Sequence, residues 1–357
     1  MRKNICAFGF FDLEGQRSWV IRKGLEESGC SVRLCRTEAQ GFLPKLWDLR
    51  RQWKDLREGT DALYVAFPGH YLMPLAWRLA RKRRIPVILD VFISLYETEV
   101  EDRARLSPWN PKAWLLWFVD WLACTLADMI LIDTEEHRDF FVHRYHIARK
   151  KFLVIPVGCR TDVFSPHQDR QNSGTFLIRF HGSFIPLHGI ETILHAAQEL
   201  KNDGVTFELA GKGQTLPAMQ KHAEELHLTT VRFAGMKKLE EIPDFIAGAD
   251  VCLGIFGTGP KAQRVIPTKA FEILAMAKPL ITARSPATER VFHDRENVLL
   301  TQAGDARDLA EKIRELKSNA ALAASIAQNG RTLFLEHFQP RTVVQPLVAW
   351  LEKNENN

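Results

Sequence analysis

Residues 261–279, KAQRVIPTKAFEILAMAKP, hold the side chains best suited to a phosphate-bearing ligand such as a nucleotide diphosphate. Lys261, Arg264 and Lys269 supply positive charge, while a helix starting near Pro267 supplies free amides and the positive end of its dipole. Glu272 falls within the first two turns, where a carboxylate can accept hydrogen bonds from the paired hydroxyls of a sugar. A capped surface helix with solvated charges fits the same spacing, so both readings stay open on this stretch alone.

Two glycine-bearing loops add to it. Residues 180–189, FHGSFIPLHG, join a strand to a helix, and Gly182 and Gly189 would let backbone amides approach a phosphate, with Ser183 and His188 beside them. Gly211-Lys212-Gly213 is either a ligand contact or a tight turn after a strand. Phe8-Gly9-Phe10-Phe11 is not the G-x-G-x-x-G dinucleotide fingerprint, and no Walker motif is present. In the first half, Asp90 ends a strand, Arg17 is placed on the loop after the first strand, and Glu97, Asp102 and Arg103 occupy a polar segment. Each is readable as a site residue or as a cap or surface pair.

With 357 residues, of which 46% are hydrophobic and 25% charged, the chain has the composition of a globular protein of two domains. Its six cysteines include no C-x-x-C pair and no His/Cys cluster, which argues against a disulfide framework or structural zinc and for a reducing compartment. The first apolar run is too short for a signal-peptide core and reads as a buried strand. Residues 113–132 are interrupted by Asp120 and Asp128 and are expected to form a core-facing helix rather than a membrane span. Residues 1–165 carry 26 Lys+Arg against 21 Asp+Glu and the remainder 22 against 22, so the net charge of +5 belongs to the first half. Its basic segment 45–57, with Trp47 and Trp53 interleaved, suits an anionic membrane surface or a solvated helix face.

Short β-rich runs alternate with helical stretches along the chain. In the first half they are 4–10, 31–35, 62–67, 86–90, 129–133 and 152–156. After a polar segment at 165–174, read as an interdomain linker, they are 176–181, 206–210, 231–234, 251–255 and 279–282. The pattern predicts an α/β protein of two doubly wound parallel sheets, divided at 1–165 and 166–339, with a C-terminal helix at 340–357 crossing back to the first domain. Ligands are expected at the carboxyl edges of the strands, in a cleft between the two sheets.

The order and spacing of HGSFIPLHGIETILHAAQEL, FELAGKG, VRFAG, ADVCLGIFG and IPTKAFEILAMAKPLIT resemble the donor domain of GT-B glycosyltransferases of the family-4, group 1, retaining type. DVFISLYETEVEDR, ADMILIDTEEH and VIPVGCRTDVF are similar to the acceptor domains of the same group. The resemblance implies two Rossmann-like domains and a nucleotide-diphosphate sugar as donor. It implies a glycan or lipid-linked acceptor, retention of anomeric configuration, and no metal or other cofactor. Glu272 then matches the ribose-binding glutamate. Gly182, Ser183, His188, Gly189, Lys212, Lys261, Arg264 and Lys269 form the donor site. Arg17, Glu97 and Arg103 are the acceptor candidates, and Asp90, His188 and Arg264 the catalytic ones.

Two departures stand out: Arg264 occupies the place of the family's second glutamate, and Ser183 and His188 stand where Arg and Lys are common. A nucleotide-sugar epimerase and a catalytically silent nucleotide-sugar-binding subunit are the alternatives. A cytoplasmic protein, peripheral on the inner face of the membrane and without a nucleic-acid partner, is expected.

Overall fold

The computed structural model describes residues 3–167 and 174–353. The chain divides into two compact units, Met1–Gly158 with Gln339–Asn357, and Cys159–Phe338. The division thus follows Gly158. Of the segment read as a linker, residues 168–173 lie outside the described residues.

The first unit runs β1 (Asn4–Gly9), α1 (Gln16–Glu27), β2 (Ser31–Arg36), α2 (Phe42–Leu56), β3 (Ala62–Val65), α3 (Met73–Arg83), β4 (Val87–Asp90), α4 (Pro111–Leu126), β5 (Met129–Ile132), α5 (Glu135–Tyr145) and β6 (Phe152–Val154). The second runs β7 (Phe176–His181), α6 (Ile190–Glu199), β8 (Val205–Ala210), α7 (Leu216–Glu225), β9 (Val231–Gly235), α8 (Ile242–Ala247), β10 (Val251–Leu253), α9 (Thr268–Ala275), β11 (Leu280–Ala283), α10 (Pro286–Val291), β12 (Leu299–Thr301), α11 (Ala306–Ser318) and α12 (Ala320–His337). The chain then rejoins the first unit as α13 (Pro340–Val343) and α14 (Gln345–Lys353), where α13 packs on α1 and Gln345 Nε2 donates to Ser28 Oγ at 3.2 Å.

Both sheets have six strands, ordered β2-β1-β3-β4-β5-β6 and β12-β11-β10-β7-β8-β9, and every pairing is parallel. The central strands are apolar throughout rather than alternating: ALYV in β3 and MILI in β5 are wholly buried, as helices on both faces require. Strand order reverses at β1 in the first sheet and at β7 in the second. The crevices beside their carboxyl ends are therefore the topological switch points where ligands of such sheets bind.

Three expectations change. The run 113–132 is a helix followed by strand β5, and α4 is only partly core-facing: Ala113, Ala123 and Cys124 are buried, whereas Trp114, Leu115 and Phe118 are 63%, 56% and 46% exposed. Asp120 interrupts the run because it organises the turn after β4, accepting hydrogen bonds from Ser94 Oγ, Tyr145 Oη and the amides of Leu95 and Tyr96. Trp53 is not a surface residue: α2 buries Leu49 and Trp53, four apart on one face, while Trp47 lies off that face and is 72% exposed. Arg17 is in the first turn of α1 rather than on the loop before it.

Two buried ionic groups fix the carboxyl edge of the first sheet. Arg17 Nε meets Asp90 at 2.8 and 3.0 Å, and its Nη1 donates to the Ile155 carbonyl at 2.9 Å. His137 places Nδ1 2.7 Å from Asp133 and Nε2 3.5 Å from Glu97. Burial by itself would lower the His137 pKa, but Asp133 and Glu97 outweigh it and lift it to about 9. The folded state therefore holds a proton that the unfolded chain releases near neutrality. The contribution is complete below the unfolded value and is lost as pH rises through about 9. Urea unfolding of wild type and His137→Gln across this range should show the stability difference shrinking by on the order of 3 kcal/mol. A pH-independent difference would mean that the imidazole is neutral.

Candidate functional site

At the switch point of the second sheet, a cavity of about 240 Å³ is lined by His181, Gly182, Ser183, Lys212, Lys237 and Glu272, among others. Each side chain arrives from a different element. His181 is the last residue of β7, Gly182 and Ser183 begin the loop after it, and Lys212 follows β8. Glu272 comes from the second turn of α9, and His181 Nε2 lies 2.7 Å from its Oε2, with both side chains buried.

Behind Gly182 stands Lys269. A Cβ on Gly182 would lie 2.7 Å from Lys269 Nζ, and the residue's φ of +145° also favours glycine, so a side chain there would displace the ammonium. Lys269 is buried, its Nζ has no hydrogen-bond partner among the described residues, and it lies 3.7 Å from the centre of the Phe180 ring. Burial holds its pKa well below the ordinary lysine value, and Glu272 only partly opposes the shift. His188 is buried beside it, its pKa pushed well below the usual imidazole value by burial and then by the charge of Lys269. Its Nδ1 bonds the Ser183 carbonyl, which can only accept, so Nδ1 carries the proton and Nε2 the lone pair.

The two glycines do not present their amides. Gly182 N–H donates to the Ala210 carbonyl at 3.0 Å and Gly189 N–H to that of Pro186 at 3.1 Å. The expectation of glycine amides in the cradle is corrected accordingly: Gly182 gives close approach, and Gly189, at φ +60°, closes the turn that leads into α6 where a Cβ would strike the Phe256 backbone. The amides of Ser183 and Lys212 make no hydrogen bond among the described residues and are free to serve instead. Lys261, buried in the short helical turn Pro260–Gln263, and Arg264, which follows it, are not among the residues lining the cavity. His181 and Lys237 belong to the site without having been singled out from the sequence. The position of His181 at the end of the first strand of its sheet was the available signal.

In the first unit the candidates are differently placed. Asp90 is fully buried, accepts from Arg17 and from Tyr64 Oη at 3.3 Å, and so positions Arg17. Burial raises its pKa, against the effect of Arg17. Glu97 is buried against His137, and Arg103 lies 3.5 Å from Glu99 in a half-exposed pair. Arg17 keeps one buried donor, Nη2, without a hydrogen-bond partner. Glu191, His195 and His222 form a cluster elsewhere in the second unit. Among the described residues, no helix is long and apolar enough to cross a membrane.

Comparison with known proteins agrees with this geometry. The description "Glycosyl transferase 4-like domain" matches residues 13–158 and "Glycosyl transferases group 1" matches residues 175–319. The chain is 25% identical over 183 residues to an uncharacterised glycosyltransferase of Methanocaldococcus jannaschii, covering 51% of this chain and 48% of the relative. It is 26% identical over 171 residues to the lipopolysaccharide core biosynthesis glycosyltransferase LpsE of Rhizobium meliloti, covering 48% of each. The matched stretch thus spans about half the length of these relatives. In fold it is similar to Anabaena HepE in complex with UDP and glucose (TM-score 0.74, 16% identity, 99% of this chain and 100% of that one). It is likewise similar to the sucrose-phosphate synthase of Thermosynechococcus elongatus (TM-score 0.76, 15% identity, the same coverage). With both units matched and the same α/β architecture in each, the chain belongs to the group 1 glycosyltransferases of the family-4 type and has the GT-B fold.

Proposed function

We propose that the chain is a retaining glycosyltransferase that moves a sugar from a nucleotide-diphosphate donor to a lipid-linked or envelope glycan acceptor, without a bound metal. The observation that carries this reading is Lys269, a buried ammonium with no hydrogen-bond acceptor, beside a cavity of about 240 Å³ at the switch point of its sheet. A diphosphate would supply the missing acceptor and restore the ammonium's charge. Lys212, Lys237 and the Ser183 and Lys212 amides would add fixed positive potential where the leaving group gains charge. Glu272, oriented by His181, would accept from the ribose hydroxyls. The His188 Nε2 lone pair is suited to a donor-sugar hydroxyl, and Lys261 and Arg264 would act on the donor from behind. Retention follows the family type, with the departing phosphate taking the acceptor's proton. The UDP and glucose held by the Anabaena relative and the lipopolysaccharide role of the Rhizobium relative support the donor and acceptor classes.

On the acceptor side, Arg17 Nη2 is the donor best placed for an anionic group. Attachment to the inner face of a membrane is supported by the exposed Trp109, Trp114, Leu115 and Phe118, and by Trp47, which shares a groove of about 660 Å³ with Arg50, Arg51 and Lys54.

UDP or GDP at 100 times its dissociation constant should stabilise the protein by about 2.7 kcal/mol with no divalent ion present. Lys269→Met, which removes a buried amine without a hydrogen-bond partner, should raise the ligand-free stability by on the order of 1 kcal/mol and abolish the nucleotide's effect. Strict dependence on magnesium or manganese in thermal shift would refute the metal-free reading. Glu272→Gln should weaken donor binding by about 1.5–3 kcal/mol, roughly 10- to 150-fold by calorimetry. Equal affinity in the variant would take Glu272 out of the site, and binding without transfer to any acceptor would favour the silent subunit. Replacing Arg50, Arg51 and Lys54 by Gln should cost about 1 kcal/mol per charge in binding to anionic vesicles at low salt. Absence of wild-type vesicle binding would point to a soluble acceptor.

A further inference from the structure

We infer that the second unit carries a transition-metal site, best suited to zinc, formed by Glu191 and His195 of α6 and His222 of α7. One ligand atom from each of the three lies within 4.8 Å of the others. Glu191 and His195 are four residues apart and so share one face of α6, and α7 packs against α6 to bring His222 to the same point. The two Nε2 atoms are 3.3 Å apart, and Glu191 Oε1 is 3.9 Å from the His195 nitrogen. Two imidazole nitrogens bound to tetrahedral zinc at about 2.0–2.1 Å stand roughly 3.3 Å from each other, so the pair is already at ligand spacing.

His222 Nδ1 is 3.6 Å from Glu225 Oε2, and a carboxylate on that side favours the proton on Nδ1 and the lone pair on Nε2, as outer carboxylates do for metal-bound histidines. Glu191 and His195 are 68% and 40% exposed, which lets an ion enter directly and leaves a fourth position for water. Two imidazoles and a carboxylate suit zinc and also nickel or copper, while offering little to magnesium or calcium. None of the three residues lines the cavity beside Glu272, so the site stands independently of the transferase reading. Glu191 is the second residue of α6, immediately after the turn closed by Gly189, so a bound ion would tie the first turns of α6 to α7.

The test is a titration of the full chain, stripped of metal by a chelator, with zinc chloride in a calorimeter and in thermal unfolding. One equivalent should bind ahead of weaker association with the rest of the twelve histidines, and Tm should rise. His195→Ala and His222→Ala should each weaken this first equivalent by at least about tenfold and remove the gain in Tm. Glu191→Gln, a change at an exposed position that leaves the packing intact, should weaken it measurably and serves if an alanine variant fails to fold. Unchanged zinc affinity in the variants, or a wild-type Tm that zinc does not move, would overturn the site. Saturation by nickel with no zinc binding would overturn the choice of ion.

Discussion

The organisation of the C-terminal unit turns on one ammonium group, Lys269 Nζ, held against the Phe180 ring without a hydrogen-bond acceptor. Removing such a cation from water is costly, and the nearby carboxylate offsets the cost only in part, as the depressed pKa shows. The surroundings preserve this state rather than relieve it. Gly182 leaves no side chain between the ammonium and the loop, His188 is kept neutral with its Nδ1–H donated to the Ser183 carbonyl, and Glu272 is held at 2.7 Å by His181. On the transferase reading, a site fixed before its anionic ligand arrives needs no reorganisation when negative charge develops, which is the arrangement that electrostatic catalysis favours.

The N-terminal unit handles buried charge the other way. Asp90 satisfies Arg17, and Asp133 and Glu97 flank His137, so these buried ions have their counter-ions inside the fold. These pairs tie β4, the turn after it and the end of β5 to α1 and α5, and they set the carboxyl edge of the sheet. Carboxylates engaged in this way act as framework. At this edge Arg17 keeps Nη2 without a hydrogen-bond partner, and elsewhere the unit exposes apolar surface at Trp109, Trp114, Leu115 and Phe118.

The sheet strands were legible because burial on both faces imposes continuous apolar runs, and MILI or VILD cannot be read as a half-exposed strand or an amphipathic helix. The α9 helix, its basic approach and Glu272 were legible for a local reason: start signal, charge and carboxylate lie within about one turn of each other. The three-residue β12 is absent from the strands read from the sequence. Composition could not tell which face of α4 is covered, nor that Trp53 rather than Trp47 enters the core. The pairing of His181 with Glu272 spans 91 residues, beyond any local pattern. The glycines illustrate the same limit: the residue type told that backbone could come close, but which amide remains unengaged depends on Ala210 and Pro186.

Arg264 bears on how the site divides its work. It follows the turn Pro260–Gln263, which packs beside the turn of His188, and the backbone ties the two regions through Phe256 N–H to the His188 carbonyl and Gly257 N–H to that of Leu187. In the family pattern a carboxylate stands at this position, close to the donor sugar. A carboxylate there would stabilise positive charge developing on the sugar ring, whereas a guanidinium stabilises negative charge on the leaving group. On the transferase reading, Lys212 and Lys237 already face the cavity and Lys269 gains its charge with the diphosphate, so Arg264 would shift the field further toward the diphosphate and away from the sugar. On the transferase reading, this chain therefore relies more heavily on leaving-group stabilisation than a relative with two glutamates. Its discrimination between donors should then follow the nucleotide more closely than the sugar, because the charged contacts that remain are those aimed at phosphate and ribose.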